Sequence, residues 1–79
     1  MYTVYSKDSC PYCEKAVALL EEKGLKYRVL KIPQQVNKST VIDHVAALTG
    51  GSVSVETVPQ IICNEKYIGG FAELQDLLE

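Results

Sequence analysis

Apolar residues along this chain fall in short runs whose spacing alternates between that of strands and that of helices. Tyr2 to Tyr5 is short, aromatic and β-branched, which predicts a strand. Ser6 to Ser9 is polar and predicts a loop. From Pro11 the period changes. Ala16, Val17, Leu19 and Leu20 follow helical spacing, and Cys13, Val17 and Leu20 share a face. Pro11 suits the first turn of that helix, where a missing N–H costs nothing, and Gly24 is its stop, with Lys23 in the last turn. Tyr27 to Ile32 predicts a second strand, ended by Pro33. Val41, Ile42, Val45, Ala46 and Leu48 mark a second amphipathic helix, closed by Gly50-Gly51, with Ser39 or Thr40 as its cap and Asp43 in its first turn. Val53 and Val55 alternate with polar residues, so 52–56 reads equally as strand or loop. Ile61-Ile62-Cys63 and Lys66-Tyr67-Ile68 predict a hairpin about Asn64-Glu65. After Gly69-Gly70, the residues Phe71, Leu74, Leu77 and Leu78 outline a final helix.

The order βαβαββα predicts an α/β fold. Its strand–helix–strand start implies a parallel pair with a right-handed crossover. The closing hairpin adds antiparallel strands, giving a mixed four-stranded sheet with helices on its faces. The length of 79 residues bounds this to one domain, 1–79, with a small core. A net charge of −2 without any Lys or Arg run gives no basis for nucleic-acid binding. No apolar stretch approaches a membrane span, and the strand-like start lacks the pattern of a signal peptide, so the cytoplasm is the expected location.

Chemistry concentrates at Cys10-Pro11-Tyr12-Cys13. With Cys10 at a helix N-cap and Cys13 one turn in, the unpaired N–H groups and helix dipole favour a thiolate on Cys10. Lys7 adds a cation nearby, and both effects should lower the Cys10 pKa below its free value of about 8.5. The thiolate is the attacking species in thiol–disulfide exchange, with Cys13 as the deeper, resolving thiol. A C-x-x-C pair is also half of a zinc site, but the other candidate ligands, Cys63 and His44, stand in no paired motif. Cys63 lies beside Ile61 and Ile62 and reads as a buried, small apolar residue, and His44 as a surface histidine. Tyr12 reads as an exposed ring flanking the pair, and Asp43 and Glu73 as helix N-terminal charges.

Together these residues resemble the glutaredoxin family of the thioredoxin fold. Cys10-Pro11-Tyr12-Cys13 matches the dithiol active site, and Lys7 matches a lysine three positions upstream. Thr57-Val58-Pro59 matches a segment whose proline is cis, and Gly69-Gly70 before a helix matches a C-terminal glycine pair. The length and the Gly69-Gly70-Phe71 variant resemble compact glutaredoxins of bacteria and their viruses. There are two departures. Ala72-Glu73 stands where many relatives carry a hydroxyl residue and Asp, and 50–56 looks longer than the corresponding loop.

The resemblance implies Cys10 and Cys13 as the catalytic pair, with no bound cofactor or metal and glutathione as co-substrate. Lys7 and Tyr12 would flank glutathione at its cysteine end, and Thr57 and Val58, beside Pro59, would pair its backbone. Gly70, Phe71 and the start of the last helix would receive its γ-glutamyl carboxylate. Disulfide-containing proteins, with a ribonucleotide reductase as one candidate, would be clients of a monomer. Two other readings stay open: a redoxin reduced by thioredoxin reductase, and an iron–sulfur or zinc carrier, against which Pro11 argues.

Overall fold

Val4 and Tyr5 are adjacent in one strand and both buried, at 0% and 4% exposure, so the strand that carries them has protein on both faces. In the computed structural model, which describes residues 1–79, that strand is β1 (Tyr2–Ser6). It is followed by α1 (Pro11–Glu22), β2 (Tyr27–Lys31), α2 (Lys38–Thr49), β3 (Gln60–Cys63), β4 (Lys66–Gly69) and α3 (Phe71–Leu78). The four strands form one sheet in the order β2-β1-β3-β4. β1 runs parallel to β2, with Val4 opposite Val29, and antiparallel to β3, with Val4 opposite Ile61; β3 and β4 form the antiparallel hairpin. This is the mixed α/β sheet expected from the element order.

Strand alternation divides the core in two. Val4 and Ile61 meet Ala16, Leu19, Leu20 and Leu74 on one face, beneath α1 and α3. Tyr5 and Ile62 meet Val41 and Val45 on the other, beneath α2. Leu20 and Leu74 are fully buried, and truncating either to Ala would cost about 2–5 kcal/mol. α1 ends at Gly24, whose φ of +68° is open to glycine at little cost. The Gly24 N–H donates to Glu21 O at 3.0 Å and the Leu25 N–H to Leu20 O at 3.0 Å, the paired bonds of a Schellman cap.

Several boundaries differ from the sequence reading. β1 extends to Ser6, because Ile32 N–H donates to Ser6 O at 2.8 Å, and β2 stops at Lys31. α2 begins at Lys38, not at a Ser39 or Thr40 cap. Its ladder starts from the Asn37 carbonyl, which takes the Thr40 and Val41 N–H groups, and Asp43 therefore falls beyond the first turn. Residues 52–56 form a loop with no strand partner. Val53 and Val55 alternate because they pack on the Tyr5–Val41–Val45–Ile62 core. His44 is half-buried, with its Nδ1 2.7 Å from the Tyr5 hydroxyl, rather than a free surface histidine. Cys63 is partly exposed and unpaired rather than buried, since it sits at the end of β3 next to the turn. No helix is long and apolar enough to cross a membrane.

Candidate active site

The chain enters α1 through Ser9, whose left-handed backbone (φ +57°) turns it off the axis of β1. Cys10 is the N-cap, with extended backbone at φ −113° and ψ 99°. Its carbonyl accepts the Glu14 N–H at 3.2 Å, and its Sγ accepts the Cys13 N–H at 3.2 Å. A sulfur at a helix N-terminus that receives a buried N–H is better stabilised as an anion than as a neutral thiol. Cys10 and Cys13 are joined in a disulfide, their Cα atoms 5.2 Å apart, a separation that the bond spans without backbone movement. Cys10 is 9% exposed and Cys13 3%, so an incoming partner meets Cys10 first.

The second wall of the site is the strap Thr57-Val58-Pro59, which leads into β3. The Val58–Pro59 bond is cis, as the resemblance implied, and so is Ile32–Pro33, which no sequence signal marked. Val58 O lies 3.8 Å from Cys10 Sγ. No backbone hydrogen bond uses the Val58 N–H or carbonyl, so the strap presents a free edge beside the sulfur. An extended peptide pairs with such an edge through its own backbone.

Two cavities flank this edge, and another lies behind the cysteines. The largest, about 550 Å³, runs from Tyr12 along Thr57, Val58 and Pro59 to Gly70, Phe71, Ala72, Glu73 and Gln75. Tyr12 is 58% exposed, and its ring lies 6.1 Å from that of Phe71 at 38°, so the two rings frame one side. Lys15 Nζ sits 5.0 Å from the Tyr12 ring centroid, a cation–π contact from one helical turn on. At the far end Glu73 accepts the Gly70 N–H at 2.7 Å. A second cavity, about 310 Å³, lies on the other side of the strap, where Lys7 and Lys38 meet Thr57 and Val58, with Glu56 as the one acid in its lining. Lys31 is paired to Asp8 at 3.0 Å; Lys7 and Lys38 make no ion pair. That Lys31 contact, with help from Gln34, holds the Asp8 carboxyl below its ordinary range. A third cavity, about 330 Å³, opens on Cys10 and Cys13 from the opposite side; Glu14 and Glu21 line it together with Lys7 and Lys31, and it contains no residue of the strap, so it offers a peptide no free backbone edge.

The geometry is that of a two-cysteine exchange centre beside a peptide-binding edge. A glutaredoxin family model matches residues 2–68. The chain belongs to the glutaredoxin family. It is 35% identical to Glutaredoxin 3 of Escherichia coli (strain K12) over 74 residues, covering 94% of this chain and 81% of the relative. Among solved structures, this glutaredoxin is similar to glutaredoxin 1 from Francisella tularensis complexed with cacodylate, with a TM-score of 0.75 at 30% identity over 95% of this chain and 87% of the other. It is also similar to a buckwheat glutaredoxin–glutathione complex, with a TM-score of 0.74 at 25% identity over 95% of this chain and 64% of the other. Glutaredoxins have the thioredoxin fold and are thiol–disulfide oxidoreductases, and this chain is one.

The structure brings Tyr12, Thr57, Val58, Pro59, Gly70 and Phe71 to one groove and puts Lys7 in the cavity next to it. Cys63 and His44 join no cluster of three or more potential metal ligands. Sequence reasoning missed Lys38, because its approach to the strap depends on where α2 starts and not on a local motif. Lys15 was readable in principle, three residues after Tyr12 on a helix.

Proposed function

We propose that this glutaredoxin takes its reducing equivalents from glutathione, bound along the groove between Tyr12, the Thr57–Val58 strap and the Gly70–Phe71 corner. One observation carries the reading: the unpaired Val58 edge next to Cys10 Sγ lies between a helix N-terminus at Phe71 on one side and the free cations Lys7 and Lys38 on the other. Glutathione is a short peptide with a carboxylate at each end; this edge offers its backbone a partner, with the remaining N-terminal N–H groups of α3, beside Glu73, at one end and Lys7 and Lys38, beside Glu56, at the other.

The steps follow from the cysteine geometry. The Cys10 thiolate attacks one sulfur of a client disulfide, forming a mixed disulfide and releasing the other client sulfur as thiolate. Cys13 then attacks Cys10 Sγ, which frees the reduced client and closes the Cys10–Cys13 bond. A glutathione thiolate opens that bond at Cys10. A second glutathione attacks the mixed disulfide, so two glutathiones become one glutathione disulfide and the dithiol is restored. Small glutathione mixed disulfides need only Cys10. Protein clients, with a ribonucleotide reductase as the family's candidate, need Cys13 as well. The protein acts as a monomer, and a chain that combines a reducible Cys10–Cys13 pair with a free Cys63 at the other end of the sheet suits a reducing compartment such as the cytoplasm.

The test is NADPH oxidation by the purified protein with a glutathione mixed disulfide, glutathione and glutathione reductase. Turnover that requires glutathione supports the proposal. No turnover, with activity restored by thioredoxin reductase, overturns it in favour of a glutathione-independent redoxin.

A further inference from the structure

Gln60 is 5% exposed at the first position of β3, opposite Tyr5, in a strand whose next two residues are Ile61 and Ile62. A buried amide is costly unless both of its ends are bonded. Both are. Gln60 Nε2 donates to the Thr57 carbonyl at 2.7 Å, and Gln60 Oε1 accepts the Tyr67 hydroxyl at 2.6 Å. The Thr57 carbonyl takes no backbone N–H, and Pro59, between it and the sheet, has none to offer. The strap that faces Cys10 is thus held by a side chain at this point and not by the sheet ladder.

We propose that Gln60 is a positioning residue for substrate binding, with Tyr67 as its anchor: the amide clamps the Thr57 carbonyl so that the Val58 edge stands ready to pair with a cysteine-containing peptide. Glutamine suits this place because one planar group both donates and accepts; a carboxylate would only accept, and an aliphatic side chain would do neither. Tyr67 suits it because its phenol stays protonated: burial, and then the charge of Glu73, push its titration up. Glu73 also bonds the Gly70 N–H, so the line Thr57–Gln60–Tyr67 approaches the far end of the same groove. A preordered edge lowers the ordering cost when a ligand binds, so the clamp should act on affinity more than on bond exchange.

The inference rests on the reading that substrate pairs with the Val58 backbone. The experiment compares wild type, Gln60→Met and Tyr67→Phe in two assays. Steady-state reduction of a glutathionylated cysteine peptide reads strap binding. Alkylation of Cys10 by iodoacetamide needs no strap and reads the thiolate and the fold. Gln60→Met removes both bonds of the amide; loss of the one that holds the strap, to the Thr57 carbonyl, predicts a KM raised about three- to tenfold, with a smaller rise in Tyr67→Phe, which removes only the anchor. kcat and the pH profile of alkylation should stay at the wild-type level.

A folded variant with wild-type KM overturns the inference and leaves Gln60 a packed amide. Alkylation slowed in step with turnover also overturns it. If Gln60→Met does not fold, Tyr67→Phe decides alone. If the wild type does not use glutathione at all, the functional proposal fails separately, and KM for a cysteine-peptide disulfide with dithiothreitol as reductant still reads the clamp.

Discussion

Glu73 Oε1 sits 2.7 Å from the Gly70 N–H, so the acid that departs from the family pattern folds back onto the corner of the groove. It supplies half of a capping box, because Gly70 has no side chain to complete the other half. An N-terminal acid also complements the positive end of α3. Glu73→Ala should lower Tm by about 2–8 °C through loss of this cap, as measured by thermal denaturation. Glu73→Gln keeps an acceptor for Gly70 but removes the charge. A γ-glutamyl end carries an ammonium as well as a carboxylate, so this variant should raise KM for glutathione about three- to tenfold at little cost in Tm. An unchanged KM would place the ammonium elsewhere.

Gly69 tests the same corner from the backbone. Its φ is +125°, and a Cβ there would meet Glu73 Oε1 at 2.8 Å and Glu73 Cγ at 2.9 Å. Gly69→Ala should therefore destabilise by about 1–3 kcal/mol and displace the Glu73 carboxylate. Denaturant unfolding and the glutathione KM would show both effects.

Cys10 and Cys13 should separate by function. Cys10→Ser should abolish all exchange. Cys13→Ser should lose protein-disulfide reduction and retain turnover of glutathione mixed disulfides, because only the protein mixed disulfide needs the internal attack. Equal loss of both activities in Cys13→Ser would contradict this division of labour. In the reduced wild type, limiting iodoacetamide at neutral pH should label Cys10 ahead of Cys13 and Cys63, as read by peptide mass spectrometry.

The cysteine pair and its helix were legible because their signals are local. Proline at the first helical position, helical spacing to Leu20 and a glycine stop all lie within fifteen residues of sequence. What the sequence reading missed depends on long-range contacts. His44 is tied to Tyr5 across 39 positions, and nothing near His44 in sequence marks that bond. Val53 and Val55 imitate a strand because they pack on a core that α2 and β3 build. Gln60 bonds Thr57 only three positions back, but it is buried by its place opposite Tyr5, which local sequence does not mark. Lys38 joins the site only once Asn37 starts α2.

Asp8 and Lys31 give a prediction with pH. The Asp8 carboxyl lies below its ordinary value of 3.8, first through its hydrogen bond to Lys31, then through that lysine's charge and the Gln34 bond. The native state therefore binds the proton more weakly than the unfolded chain. The stabilisation is fully present above the ordinary value and is lost as pH falls through the depressed one. Asp8→Asn should melt slightly below wild type at neutral pH, and the gap should close in acid. Since the pair is exposed, added salt should shrink the gap as well.

Substrate bound to Cys10 should lie along the strap and the Phe71 corner, not in the cavity behind the cysteines that Glu14, Val17 and Glu21 line. The most direct measurement is the change in amide chemical shifts when Cys13→Ser is converted to its Cys10–glutathione mixed disulfide. Large shifts are expected at Thr57, Val58, Phe71 and Ala72, with smaller ones at Lys7 and Lys38. Shifts concentrated at Glu14, Val17 and Glu21, with the strap unmoved, would contradict that placement.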